Sequence, residues 1–310
     1  MSQGKWGAVI SVKEETGVKK VSLVLILFLA LGTPPLFADR GLIPFKPDVQ
    51  IFEPNQRAML AWNGEEEILL LSTDLKASAP TQVLEVLPLP AEPQVKKGDV
   101  ETFRRATSLI NKKIRTFALP AGKGPALLGA PPAGEVTFHK KIGAHDISVT
   151  HVLNTAGFIS WVEKYLKSAG VQNPIIPAAN QRIIGEYLAA GFTWFVFDVV
   201  SLNEVLSTGE AIQYRFKTKF LYYPMKVTQT VAGQTNVELL VLSPRLLDRF
   251  PGIPASQVQL RHEPVSITSR ELRSLNPDMD ALLGHREDMK LRIWRLQGAM
   301  AAFRQDLIAQ

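Results

Sequence analysis

Three histidines fall within one short stretch, His139, His145 and His151, with Asp146 among them. Imidazole and carboxylate groups are common zinc ligands and common partners in proton transfer. The stretch reads as two strands, over 135–140 and 144–152. Six residues of extended chain span about 20 Å. His145 and His151 therefore cannot share an ion held by ligand bonds of about 2 Å. A tight turn at Ile142-Gly143 would set His139 across from Asp146, which gives a hydrogen-bonded pair at most. His139 and Asp146 are the candidate pair, and strand histidines without a ligand are the favoured reading.

Asn276, Asp278, Asp280 and Glu287 fall at positions 1, 3, 5 and 12 of a calcium-loop pattern, and Leu283 fits position 8. The turn glycine of such a loop is replaced by Ala281. The same residues read better as a helix start: Asn276 as N-cap, Pro277 at the first helical position, acids in the first turn. Glu65, Glu66 and Glu67 read as a solvated strand start rather than a pair of glycosidase acids. Trp194, Tyr222 and Tyr223 could stack on a sugar, but aromatic residues on strands are usually core. The sequence holds no G-x-S-x-G, H-E-x-x-H, P-loop or G-x-G-x-x-G. It therefore marks no catalytic residue and no cofactor site.

The elements that must position any such residues fit an ordinary globular composition. The chain has 310 residues, 46% apolar and 21% charged, which is enough to bury a large core. There is no cysteine, so disulfides, thiolate catalysis and Cys-type metal sites are excluded. Net charge is +6. It is spread along the chain, and no nucleic-acid signature accompanies it. Nucleic acid is not an expected partner.

Lys19-Lys20 precede the apolar run Val21 to Leu31, and Ala38 precedes Asp39. A positive end, a short apolar stretch and a small residue before a polar one make a secretory signal. The run is too short for a spanning helix, which needs about 20 apolar residues. Residues 1–38 are thus read as a signal peptide cleaved after Ala38, with an uncleaved anchor as the alternative. The expected location is extracytoplasmic: periplasmic, secreted or on the cell surface.

An α+β domain is expected over 39–268. Arg57 to Trp62 and Glu65 to Ser72 form a hairpin, joined by Asn63-Gly64 as a two-residue turn. Thr81 to Leu87 is a strand that ends in a Pro-rich exit. Asp99 caps a helix over 100–113. Residues 119–134 form a Gly/Pro-rich loop. Helices follow at 155–169 and 180–190. Phe192 to Val200 is apolar on both faces and belongs at a sheet centre. Further strands lie at 212–218, 220–223 and 237–242. The order gives a mostly antiparallel sheet with packed helices.

The segment 269–310 is read as helical, with a C-terminal amphipathic helix. Met289, Ile293, Leu296, Met300, Phe303 and Leu307 are spaced as a heptad seam. Packing on the chain's own domain is the favoured use of that seam, and self-association is the alternative.

Residues 56–93 (QRAMLAWNGEEEILLLSTDLKASAPTQVLEVLPLPAEP) resemble an exported prokaryotic family known only as domain of unknown function 2330. The similarity extends to 140–152 with the helix 158–166, and to 191–199 and 214–227. It implies export and a pattern of strands, and brings no established activity. Many members carry cysteines near the mature amino terminus; this chain has none, so no role of theirs carries over. The expectation is a non-enzymatic exported protein that binds an envelope protein or cell-wall component or is structural. The alternative is an exported hydrolase or carbohydrate-acting enzyme. A compact pocket joining Asp146 or Asp198 to a histidine would favour the enzyme; a broad apolar surface would favour binding.

Overall fold

Long strands that are apolar on both faces need cover on both faces, and this chain provides it by stacking two sheets between helices. A computed structural model describes residues 41–46, 49–116, 139–142, 145–208, 210–230, 234–243, 245–247 and 249–310. The export signal read at 1–38 and the loop read at 119–134 lie outside the described residues.

The strands, in chain order, are β1 (Gly41–Pro44), β2 (Ile51–Trp62), β3 (Glu66–Ala77), β4 (Thr81–Leu89), β5 (Gln94–Lys97), β6 (His139–Ile142), β7 (His145–His151), β8 (Trp194–Leu202), β9 (Ser207–Thr208), β10 (Ile212–Lys217), β11 (Leu221–Tyr223), β12 (Gln234–Ser243), β13 (Val258–Leu260), β14 (Val265–Ile267), β15 (Met289–Ala299) and β16 (Leu307–Ala309). The helices are α1 (Glu101–Thr116), α2 (Thr155–Ser168), α3 (Ala178–Ala189), α4 (Ser269–Leu275) and α5 (Pro277–Leu282). One sheet has the order β1-β4-β8-β7-β6. The larger runs β13-β15-β12-β2-β3-β10-β5, with β14 on β15 and β9 on β3. Pairing is antiparallel except between β12 and β2. The fold is α+β and dominated by its sheets.

Side-chain alternation sorts the core into layers. Phe103, Ala106 and Ile110 of α1, with Leu272, Leu275 and Met279 of α4 and α5, cover one face of the larger sheet at Met59, Leu70 and Leu240. The other face of that sheet, through Leu60, Leu69, Leu71 and Leu239, packs on Leu87, Ile147 and Val196 of the smaller sheet. Beyond the smaller sheet, Phe158 and Val162 of α2 and Ile183 and Tyr187 of α3 cover Leu84, Phe195 and Phe197. The order of layers is helix, sheet, sheet, helix. As its two apolar faces require, β8 stands in the middle of its sheet.

The hairpin turn sits one residue later than Asn63-Gly64. The Asn63 N–H donates to the Glu66 carbonyl at 3.2 Å. Gly64, with φ of 102°, and Glu65 are then the central residues. A glycine at the first central position suits a type II′ turn. The Asn63 side chain accepts from the N–H groups of Glu65 (2.9 Å) and Glu66 (2.8 Å), which fixes it as the turn's first residue. Pro88 stays within β4, opposite Phe195. It is tolerated because β1 pairs only with residues 83–86, leaving β4 an edge at that point.

The C-terminal amphipathic helix is corrected. Asn276 does cap a helix, accepting from the N–H groups of Asp278 and Met279 at 3.1 Å each, but α5 ends at Leu282. Gly284 (φ 71°) and His285 (φ 55°) take left-handed conformations that end it. Met289 to Ala299 is then a strand paired along its length with β12. Met289, Leu291 and Ile293 face α4 and α5, while Trp294 and Leu296 face the other sheet. A strand covered on both faces carries apolar residues at spacings that a heptad also accepts. Met289, Ile293, Leu296, Met300, Phe303 and Leu307 are all buried in their own chain, so they offer no exposed seam for self-association.

The tail beyond them is anchored by Asp306, which accepts from Tyr187 Oη (2.7 Å) and the Lys226 N–H (2.8 Å) before β16 pairs with β11. Burial pushes the Asp306 carboxyl up to about 6, although the Tyr187 and Lys226 hydrogen bonds oppose the rise. An acid whose pKa is raised by folding binds its proton more tightly in the folded chain. Its stabilising contribution is therefore present below its unfolded value near 3.9 and is lost as pH rises through 6. Asp306→Asn keeps an acceptor for Tyr187 and Lys226 without the charge. It is expected to match the native chain near pH 4 and to gain on it as pH rises to 7, read as the difference in urea midpoint. A difference independent of pH would refute this.

Candidate metal centre

The hydrogen-bond register of the smaller sheet brings together side chains far apart in sequence. Glu85 of β4 lies directly opposite Asp198 of β8, and Asp198 lies opposite Ile147 of β7. His145 is two residues from Ile147 and so shares its face. One donor atom from each of Glu85, His145 and Asp198 lies within 4.8 Å of the other two. His145 Nδ1 and Asp198 Oδ2 are 2.6 Å apart. Relative exposure is 1% for Glu85, 3% for His145 and 1% for Asp198. The trio is a buried constellation of one imidazole and two carboxylates, the donor set of a divalent metal site.

Its level in the layers follows from alternation. Val83 and Val200 on one side belong to an apolar cluster with Leu75 and Ala77 of β3. Leu87 and Val196 on the other side belong to the cluster containing Leu71. Glu85 and Asp198 sit between these pairs, and Thr73 sits between Leu71 and Leu75 on the facing sheet. Gln56 is paired with Thr73 across β2 and β3. Both are buried, and Gln56 Oε1 and Nε2 and Thr73 Oγ1 have no hydrogen-bond partner among the described residues. A polar stratum thus interrupts the apolar interior between the sheets.

The register differs from the one read for His139 and Asp146. His139 stands opposite Ser148, and it is Lys141 that stands opposite Asp146. The side chain of His139 lies outside the described residues. Asp146 shares a sheet face with Ser148 and Phe197, away from His145, on the side covered by α2. There Tyr165 of α2 feels both acids: burial first, then the charges of Asp146 and Asp198, raise its hydroxyl above the usual tyrosine value. His151 is exposed and stacks on Trp194 with ring centres 4.5 Å apart. Tyr222 and Tyr223 are fully buried and present no sugar platform. Asp278 and Asp280 form no calcium loop; Asp280 accepts from Ser269 Oγ (2.7 Å) and Arg273 Nε (2.8 Å) and lies 2.7 Å from His285 Nδ1.

Sequence reading missed Glu85 and set His145 aside. The signal was there in part. Glu85 is the one charge in TQVLEVLPL, and Asp198 the one charge in WFVFDVVSL. A lone carboxylate at the centre of a strand apolar on both faces must find a partner or a cation.

A family model described as an uncharacterised protein conserved in bacteria, domain of unknown function 2330, matches residues 34–249. The chain belongs to that family. All three residues of the buried trio fall within the match. No curated protein matches the chain. Among solved structures it is similar to the crystal structure of baculovirus P35, at 10% identity and a TM-score of 0.40, covering 86% of this chain and 99% of that one. It is also similar to a chain in the crystal structure of the caspase-8/P35 complex, at 10% identity and a TM-score of 0.40, covering 85% and 96%. Likeness at that level carries no argument about fold or function.

His145→Leu removes the 2.6 Å partner of the Asp198 carboxylate while filling the space. Leaving one partner of a buried hydrogen bond unsatisfied costs about 1–3 kcal/mol, and urea unfolding is expected to show a loss of that size. Adding Asp198→Leu should restore part of it. If the double variant is less stable by the sum of the two single effects, the two residues do not act as a pair.

Proposed function

We propose that this is an exported, non-enzymatic protein of the bacterial cell envelope, with a structural or partner-binding role. One observation carries the non-enzymatic part. The described residues best suited to acid–base or metal chemistry, Glu85, His145 and Asp198, are at most 3% exposed and lie between two sheets. A catalytic group must come within hydrogen-bond reach of its substrate. His145 and Asp198 meet the chemical half of the requirement for a hydrolase, and their burial withholds the other half. Rigid layers covered on every apolar face suit a module that presents a surface.

The export part rests on the sequence of residues 19–39. No helix among the described residues is long and apolar enough to cross a membrane. Expression of the full chain in a secretion-competent bacterial host is expected to yield an extracytoplasmic protein whose first residue is Asp39. Recovery in the cytosol with residues 1–38 attached would end the export reading. The exported chain should leave a panel of ester, amide and glycoside substrates untouched. Turnover abolished by His145→Leu in a variant that still folds would establish the hydrolase instead.

A further inference from the structure

We propose that Glu85, His145 and Asp198 bind one divalent first-row transition metal ion, of the zinc or manganese class, as a structural clamp on the three neighbouring strands β4, β8 and β7. Three observations converge on it. The first is geometric. Ligands of one ion with bonds of about 2.1 Å stand about 3–4 Å from one another, and the three donors already lie within 4.8 Å. They come from three neighbouring strands whose backbones are fixed by the ladder. Side-chain rotation alone closes the gap, and the 2.6 Å contact between His145 and Asp198 opens slightly to become a ligand–ligand separation.

The second is donor chemistry. Carboxylate oxygens and a neutral imidazole nitrogen are the groups that ligate a divalent ion, and here one imidazole and two carboxylates converge on one sheet face. The third lies on the facing sheet. Gln56 and Thr73 bring buried polar atoms, without partners among the described residues, to the level of the trio. Three protein ligands leave the ion one or more positions for water. Oxygen and nitrogen atoms on the opposite sheet are what would hold that water. With one imidazole and two carboxylates, a borderline divalent ion is favoured over calcium, which takes oxygen donors alone.

The site is enclosed, so loading is tested during folding. The full chain and its Glu85→Gln/Asp198→Asn variant are refolded from denaturant with Zn²⁺ or Mn²⁺ in excess, passed through a chelating column, and their metal content measured. The expected result is about one equivalent in the native chain and roughly a tenth of that or less in the variant. The loaded native chain should melt about 5–10 °C above the metal-free chain, and the variant should show no shift. X-ray absorption at the metal edge of the native chain should report one imidazole among oxygen neighbours, a readout that stands even if the variant does not fold. Native chain that refolds without retaining either metal overturns the proposal, as does equal retention by a folded variant. Loading is independent of compartment, so its failure leaves the export reading intact.

Discussion

A polar group removed from water has to be satisfied where it sits, and in this protein that demand falls on Glu85 and Asp198. β4 and β8 cross the middle of the smaller sheet, and their register sets the two carboxylates face to face. Valines and leucines lie above and below them, and Gln56 and Thr73 lie at their level on the facing sheet. The strands cannot slip to relieve the pair, because alternation is strict. A shift of one residue would carry Glu85 into the phenylalanine-rich layer under α2 and α3 and turn Leu84 or Val86 towards the other sheet. His145 answers part of the demand at 2.6 Å.

The rest of the architecture closes that stratum off from bulk solvent. The larger sheet and its helices close one side, and α2 and α3 close the other. The chain's last residues complete the enclosure. Phe303 and Leu307 enter the inter-sheet core, and Asp306 ties the tail to Tyr187 and Lys226. Burial also pushes Glu67 well above its usual value, against the hydrogen bond it accepts from the Tyr222 N–H. Asp306 and Glu67 are thus buried acids held by named protein donors.

Much of the fold was legible in the sequence, and the failures have physical causes. Helices α2 and α3 showed their 3.6-residue periodicity, and β8 showed apolar residues on both faces; both readings hold. The segment from Met289 to Leu307 misled because a strand buried on both faces loses the alternation that identifies strands. Its surviving apolar positions then satisfy a heptad by coincidence. The turn slipped by one because the Asn63 side chain, by bonding two following N–H groups, competes for the first turn position. The trio as a group was not legible for a different reason. Its members lie 60 and 53 residues apart along the chain, and only strand order and register bring them together.

Pairing of that kind bears on what the constellation is for. Catalytic groups are usually placed at strand ends or on loops, where substrate can reach them. Glu85 and Asp198 are instead near the midpoints of nine-residue strands. At a midpoint a polar group gains no access, but it gains specificity. A half-satisfied polar stratum costs more than an apolar one, and a satisfied one penalises every register but its own. Hydrophobic packing alone tolerates a two-residue slip of one strand past its neighbour, because one leucine substitutes for another. The imidazole and the two carboxylates remove that tolerance at one level of the sandwich. A cation bound there would hold three neighbouring strands with one set of bonds. The same chemistry that suggests a reaction when read as residue types reads, at this depth, as the means by which β4, β7 and β8 keep their alignment.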